Sequence, residues 1–544
     1  MPQCKNCQQN FEHLPGDLDF YKKVEVPEPE MCPDCRQQNR IAWRNFTNLY
    51  LKKCELTGEE ILTRFSPEGG IKIINVPDWH SDKWNPLDYR RDYDFSRSFF
   101  DQFFELYKDI PHSALWQNQS FNCDFTNLAA YSKGCYMVFG CVDNKNCFYS
   151  HLTWSSNDCY EALYIRKCEL CYEVIDCNES YGLFWCSDCT SCNNCKYCYH
   201  CKGCQECVSC YGLINQTKYV LNKPCVNDQD YQKQVAKFMA LSQADKQAKI
   251  DELRKIVPTK ENTIINSTNC TGNYIYHSKN CHGCYDVKRS EDSSYCYTVE
   301  FNNDSYDYSF TARPSELSYN TLTGYGRKLI CCQGCLDNCN ELYYCQECNA
   351  VKDCFGCIGL HNKEEYCILN KQYSAEEYKQ LKDKIIQQME ERKEFGKFFP
   401  VKDSAFVYNE SIVNEYYPLT KEQALAKGYN WLDPDPRDYQ PQTYQVPVDI
   451  KEVKDEILDQ ILACTKCGRN YKIIKQELNF YRQHDLPIPR ECFYCRHAVR
   501  MAKRNPRKLF ERQCDNCHKN IRTTYTSDRQ EKVYCDECFN KEMY

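Results

Sequence analysis

Cys4 and Cys7 form one C-x-x-C pair and Cys32 and Cys35 another, with 24 residues between them. Cys464, Cys467, Cys492 and Cys495 repeat that pattern, each 460 residues beyond its counterpart. A C-x-x-C turn sets two sulfurs on one side of a metal. A second pair closes the tetrahedral shell that structural zinc requires. Cys514, Cys517, Cys535 and Cys538 make a third set of four. These twelve thiols are the candidate ligands of three Zn2+ ions. Four-cysteine shells are closed, so the metal is expected to hold the fold of modules too small to bury much core.

The 460-residue offset runs through the flanks as well. Phe20 and Tyr21 match Phe480 and Tyr481, Pro27 and Pro29 match Pro487 and Pro489, and Arg44 and Asn45 match Arg504 and Asn505. These are two copies of one module. Between its pairs, Leu18, Phe20, Tyr21, Val24 and Val26 read as a hairpin. Arg36 to Tyr50 reads as a helix, with Ile41, Trp43, Phe46 and Leu49 available to pack. Knuckle, hairpin and helix together predict a treble-clef-like finger. The same offset sets Cys54, Thr57, Asn75 and Asp78 against the third set. That copy reads as a finger that has lost its zinc, with the segment Trp79 to Trp84 packing in its place. A ligand role for Asp78 or His80 is the alternative.

Between Cys123 and Cys225 lie 18 cysteines, every one at a position divisible by three. Stepping by six from Cys123 meets only small or apolar residues, such as Ala129, Cys135, Thr153, Ile165 and Leu183. Such periodicity marks a β-solenoid, in which equivalent positions stack coil over coil. Three is odd, so successive cysteines on one face require a bend between them. Coils of 12, 18 or 24 residues all satisfy the pattern. A second, less regular array of 13 cysteines runs from about Asn266 to Lys371. Each array passes a Leu-Asn-Lys and enters a charged helix, over Gln229 to Ile256 and over Ala375 to Phe395, expected to cap the stack. The ladder sulfurs read first as buried thiols. Thiolate-bound metal, above all at Cys186 to Cys210, and disulfide rungs are the alternatives.

The expected architecture is mainly β with small α: two Cys-ladder β-solenoid modules with capping helices, flanked by treble-clef-like Cys4 zinc fingers. The fingers span 1–50, 460–510 and 511–544, with the degenerate finger and an aromatic linker at 51–112. The solenoids span 113–225 and 263–372, their caps 226–262 and 373–398, and a linker 399–459.

The chain resembles cysteine-rich proteins of small-genome candidate-phylum bacteria. The residues carrying the likeness are Cys32, Pro33, Asp34, Cys35 and Arg36 with Ala42 to Asn45, the run Ser81 to Tyr89, and coils of the Ser132 to Tyr136 type. Leu419 to Glu422 and Val533 to Cys535 add to it. The resemblance spans nearly the whole chain and implies zinc fingers around repeats, with no particular activity. Those relatives often carry more metal ligands near Trp79 than this chain does.

A net charge of −7 over 544 residues argues against global nucleic-acid coating. Met1 to Asn10 carry no signal-peptide pattern, and no stretch of about 18 apolar residues suggests a membrane span. With C-x-x-C spacing, this predicts a reduced, cytoplasmic protein. There is no Walker loop, dinucleotide fingerprint or H-E-x-x-H, and the eleven histidines are scattered. A non-enzymatic scaffold is expected, with no membrane and no small-molecule substrate. A thiol-rich metal store or redox buffer is a further reading. Its partner is protein or RNA. From Cys464 onward, 18 Lys and Arg face 10 Asp and Glu. Arg496, Arg500, Lys503, Arg504, Arg507, Lys508 and Arg512 are the candidate phosphate contacts, with Arg500, Arg504 and Arg507 on one helical face and Tyr494 or Tyr525 stacking on a base.

Overall fold

The computed structural model describes residues 1–433 and 439–543. The predicted linker 399–459 and the terminal finger 511–544 each include positions outside that range.

Between Gln117 and Val220 the chain winds in coils of twelve residues. Phe139 pairs in parallel with His151, and His151 with Leu163. Five short strands, from Gln117–Asn118 to Leu163–Arg166, begin the series. Single parallel bridges continue it, from Tyr172↔Phe184 to Val208↔Val220. The offset of twelve decides among the three coil lengths that the cysteine spacing allows.

Each triplet repeats the same three jobs. Cys171 points inward and is buried, Tyr172 bridges to the next coil, and Glu173 turns the corner at φ 53°. Cys195, Lys196 and Tyr197 (φ 54°) do the same two coils later. Those corners are the bends that a three-residue period demands. A left-handed backbone at a non-glycine residue costs about 1 kcal/mol or more. The bridging residue returns part of that. Tyr172 donates its N–H to the Leu183 carbonyl, and its own carbonyl accepts from Trp185, both at 2.9 Å.

The inward residue's N–H meets no strand neighbour. Where the inward side chain one coil earlier can accept, it donates there. Cys198 donates to Cys186 Sγ at 3.4 Å, Cys192 to Ser180 Oγ at 3.1 Å and Cys168 to Ser156 Oγ at 3.2 Å. The same side chains also donate: the Cys186 thiol lies 3.4 Å from the carbonyls of Phe184 and of Cys195. An inward side chain that both donates and accepts therefore gains two bonds, which the apolar inward residues Ile165, Val174 and Leu183 do not. Serine and cysteine meet that condition, and cysteine adds apolar burial.

A second stack runs from Ile264 to Gln372 as a fourteen-stranded, almost wholly parallel sheet. Its offset drifts from twelve at Tyr285↔Tyr297 to thirteen at Tyr306↔Tyr319 and eleven at Leu322↔Gln333. This drift is the irregular register visible in its cysteine spacing. Inside, a serine row replaces thiols: Ser290 donates its N–H to Ser278 Oγ, and Asn302 to Ser290 Oγ.

Three local expectations are corrected. The predicted hairpin over Leu18 to Val26 is a helix, Asp17–Lys23, which buries Phe20 and Tyr21 and leaves Leu18 exposed. The helix expected over Arg36 to Tyr50 stops early, as Pro33–Ile41. The first charged helix is two, Asp228–Met239 and Gln243–Ile256, because Ser242 caps a new start by accepting from the Asp245 N–H. Tyr231, Phe238 and Ile250 on these helices pack with Tyr197, Val208 and Val220, against the flank of the last coils. The second charged helix, Ala375–Glu391, buries Tyr378, Ile385 and Met389.

Candidate metal centres and the interfaces that hold them

Four knuckles share one backbone pattern. The N–H of Cys4, Cys54, Cys464 and Cys514 donates to the carbonyl five residues on, at Gln9, Glu59, Arg469 and Lys519. The residue four beyond each cysteine, Gln8, Gly58, Gly468 or His518, closes the turn at positive φ. Three of the knuckles meet a second C-x-x-C pair. Cys32 and Cys492 sit at the N-caps of Pro33–Ile41 and Phe493–Lys503, so an electropositive helix end faces the sulfurs.

In each of the three sets the four sulfurs lie within 4.8 Å of one another. The edges Cys7–Cys32, Cys467–Cys492 and Cys517–Cys535 measure 3.8, 3.7 and 3.7 Å. A tetrahedral ion with sulfur at about 2.3 Å has an edge of about 3.8 Å, so the donor sets fit such an ion. One thiol in each set is pulled toward the thiolate. The Cys35 hydrogen bond carries Cys32 down to about 5. Burial raises Cys464 and Cys514, but backbone N–H groups outweigh it and hold each at about 6.

The fourth knuckle carries no such set. Asn75 donates to Cys54 Sγ at 3.8 Å and to Asp78 Oδ2 at 2.8 Å, and Lys83 pairs with Asp78. Trp79 and Trp84 pack with ring centroids 4.5 Å apart. Hydrogen bonds, an ion pair and aromatic packing occupy the place of a shell. Among the described residues, no three ladder sulfurs converge within 4.8 Å. They form rows rather than shells.

The two related fingers dock crosswise. The N-terminal finger packs on the second stack and the C-terminal finger on the first, through matching contacts. Phe20 stacks on Tyr306 at 3.9 Å and Phe480 on Tyr160 at 3.8 Å. Tyr295 donates to Asp17 at 2.8 Å, and Tyr149 to Glu477 at 2.6 Å. Arg36 and Arg40 share Asp307 at 2.9 and 3.4 Å. Arg496 and Arg500 share Glu161 at 2.6 and 2.5 Å. Asp17 and Glu477, like each arginine pair, stand 460 residues apart.

The docking also places the residues expected to contact phosphate. Arg500 is buried and also reaches Glu173 at 3.1 Å. Arg504 lies beyond the helix end, not on its face, and pairs with Asp176 of the first stack and Asp286 of the second. Arg507 joins Asp286 and the Tyr164 hydroxyl. Burial works against the Asp286 charge, but Arg504 and Arg507 outweigh it and hold the carboxyl low. Arg512 pairs with Asp515 and donates to the Thr526 and Glu531 carbonyls. Tyr525 is buried, and Arg469 lies over Tyr494 at 4.2 Å. Lys503 and Lys508 are the members of that group that remain exposed. In the N-terminal copy, Arg44 has no carboxylate partner among the described residues. It donates to Thr323 between the rings of Phe46 and Phe310, and burial with nearby Arg64 pushes it down to about 9.

The sequence reading missed one converging group, His151, His497 and Glu415. Its members are too far apart in the chain for spacing to signal it.

No family model and no curated protein matches the chain. A crystal structure of a candidate acetyltransferase from Desulfovibrio desulfuricans G20 aligns at 8% identity and a TM-score of 0.10. The alignment covers 44% of this chain and 63% of that one. At that score the alignment informs neither fold nor function.

Two outcomes are expected. Cys535→Ser lowers bound metal by one ion per chain, whereas Cys54→Ser leaves it unchanged, as read by elemental analysis. Glu161→Ala strands the buried Arg496 guanidinium, leaves Arg500 with Glu173 alone and destabilises the C-terminal interface by about 3–5 kcal/mol, seen as a lower melting midpoint, whereas Lys508→Ala changes stability by less than about 0.5 kcal/mol.

Proposed function

We propose that the chain is a non-enzymatic, zinc-stabilised scaffold: two capped β-solenoids clamped by treble-clef-like fingers, with protein as its partner. The observation that carries this reading is where the finger arginines go. Arg496, Arg500, Arg504 and Arg507 are consumed by Glu161, Glu173, Asp176 and Asp286. Their charge joins modules to one another instead of facing phosphates. Three ions of zinc in closed four-sulfur shells would supply folding energy rather than an open coordination position. Stacked repeats then offer broad, rigid faces of the kind used for protein recognition.

The redox-buffer reading is disfavoured by the ladder. Its thiols are buried and bonded to carbonyls, as at Cys189 and Cys198, whereas reactive thiols need access.

The test is fluorescence anisotropy of the zinc-loaded full chain with mixed-sequence RNA and DNA at two ionic strengths. The expected result is no binding that falls steeply with salt. Salt-steep binding that disappears in Lys503→Ala with Lys508→Ala would return the C-terminal finger to nucleic acid.

A further inference from the structure

The geometry points to a fourth metal centre, chemically unlike the other three, in which His151, His497 and Glu415 bind a divalent transition ion such as Zn2+. The ligands come from three separate parts of the chain. His151 lies on a strand of the first stack, His151–Trp154. His497 lies on the C-terminal finger's helix, Phe493–Lys503. Glu415 lies on the short helix Val413–Tyr416 that precedes Tyr417 in the linker. Their donor atoms all fall within 4.8 Å of one another.

His497 Nε2 is 3.1 Å from His151 Nδ1 and 3.3 Å from Glu415 Oε2. Ligands about 2.0–2.1 Å from a tetrahedral ion stand about 3.3–3.4 Å apart, so these edges match nitrogen and oxygen ligation. Two imidazoles and a carboxylate are a donor set that binds zinc and other first-row ions. One proton on His497 Nε2 serves only one of its two neighbours well. A cation at the centre would serve all three.

The alternative is a plain hydrogen-bonded histidine pair. Such a pair is normally fixed by a partner on each outer nitrogen, which selects the tautomer. Among the described residues, neither His151 Nε2 nor His497 Nδ1 has a hydrogen-bond partner. Nothing there commits a proton to the inner nitrogens.

The surroundings position the rings without filling the convergence point. Phe46 stands edge-on to His151 at 4.5 Å, and Phe493 lies parallel to His497 at 5.8 Å. Arg500 carries its own carboxylates, Glu161 and Glu173. The Glu415 side chain is 23% exposed, which leaves a side open to water and ion entry. The related interface makes a useful contrast. Gln37 stands there in the place of His497, and it accepts hydrogen bonds from Arg40 at 2.6 Å and Ser309 at 2.8 Å. The C-terminal copy has histidine at that position, facing a second histidine. An ion here would pin coil, finger and linker together at one point.

The test uses the full chain with its four-cysteine sites filled with zinc. A weak chelator clears nitrogen–oxygen sites, and Co2+ is then titrated in. The proposal expects one Co2+ per chain, with ligand-field absorption and no sulfur-to-cobalt charge-transfer band. His497→Gln should abolish that uptake, and Glu415→Gln should weaken it about tenfold or more. If His497→Gln does not fold, the Glu415→Gln shift and the parent's spectrum decide. No uptake by the parent overturns the proposal. So does a sulfur charge-transfer band, or uptake unchanged in Glu415→Gln.

Discussion

An inward-facing amide with no strand partner is the constraint from which the coils follow. Turning a corner every third residue lets equivalent positions stack, but it aims one N–H in three at the interior. A buried amide left unpaired costs about 1–3 kcal/mol. Repeated over every side of every coil, that cost would exceed the stability of any domain. At many inward positions the chain meets it with small side chains that accept from the coil above and donate to nearby carbonyls, as Cys186 and Ser180 do. Inward cysteine and serine serve that need without any appeal to redox chemistry.

Long stacks of this kind expose flat flanks and must be held against other elements. The fingers do this, and metal shells of the geometry seen here would make such small modules rigid enough to grip. Their grip is crosswise and nearly symmetric: Phe20 on Tyr306 and Phe480 on Tyr160, Arg36 on Asp307 and Arg496 on Glu161. Each carboxylate is shared by two arginines from one helix turn. Removing Asp307 strands two charges at once and removing Glu161 strands Arg496, which makes these pairs costly to break, though not net sources of stability. Arg504 ties the stacks to each other by reaching Asp176 and Asp286 together.

The sequence showed the parts that repeat at fixed spacing. The twelve finger thiols, the 460-residue offset and the lone knuckle cysteine at Cys54 were readable because each is a local pattern. Coil length was not, since a three-residue period divides 12, 18 and 24 alike and only the pairing partner separates them. The segment Asp17–Lys23 was misread because Phe20, Tyr21 and Val24 fit one helical stripe as well as an alternating strand. The partners of the arginines were hidden for another reason. Local charge counting sees Arg500 beside Lys503 and Arg504, but their counter-charges Glu173 and Asp176 lie more than 300 residues earlier. His151 and His497, 346 residues apart, were hidden in the same way.

Hydrogen exchange at the Cys198 amide tests the coil account most directly. That amide donates to Cys186 Sγ. Cys186→Ala removes the acceptor and should speed exchange by about 5- to 100-fold, the equivalent of about 1–3 kcal/mol. Cys186→Ser keeps a small acceptor in place and should leave the rate near that of the parent. Equal rates in all three chains would contradict the claim that an inward thiol satisfies the inward amide one coil on.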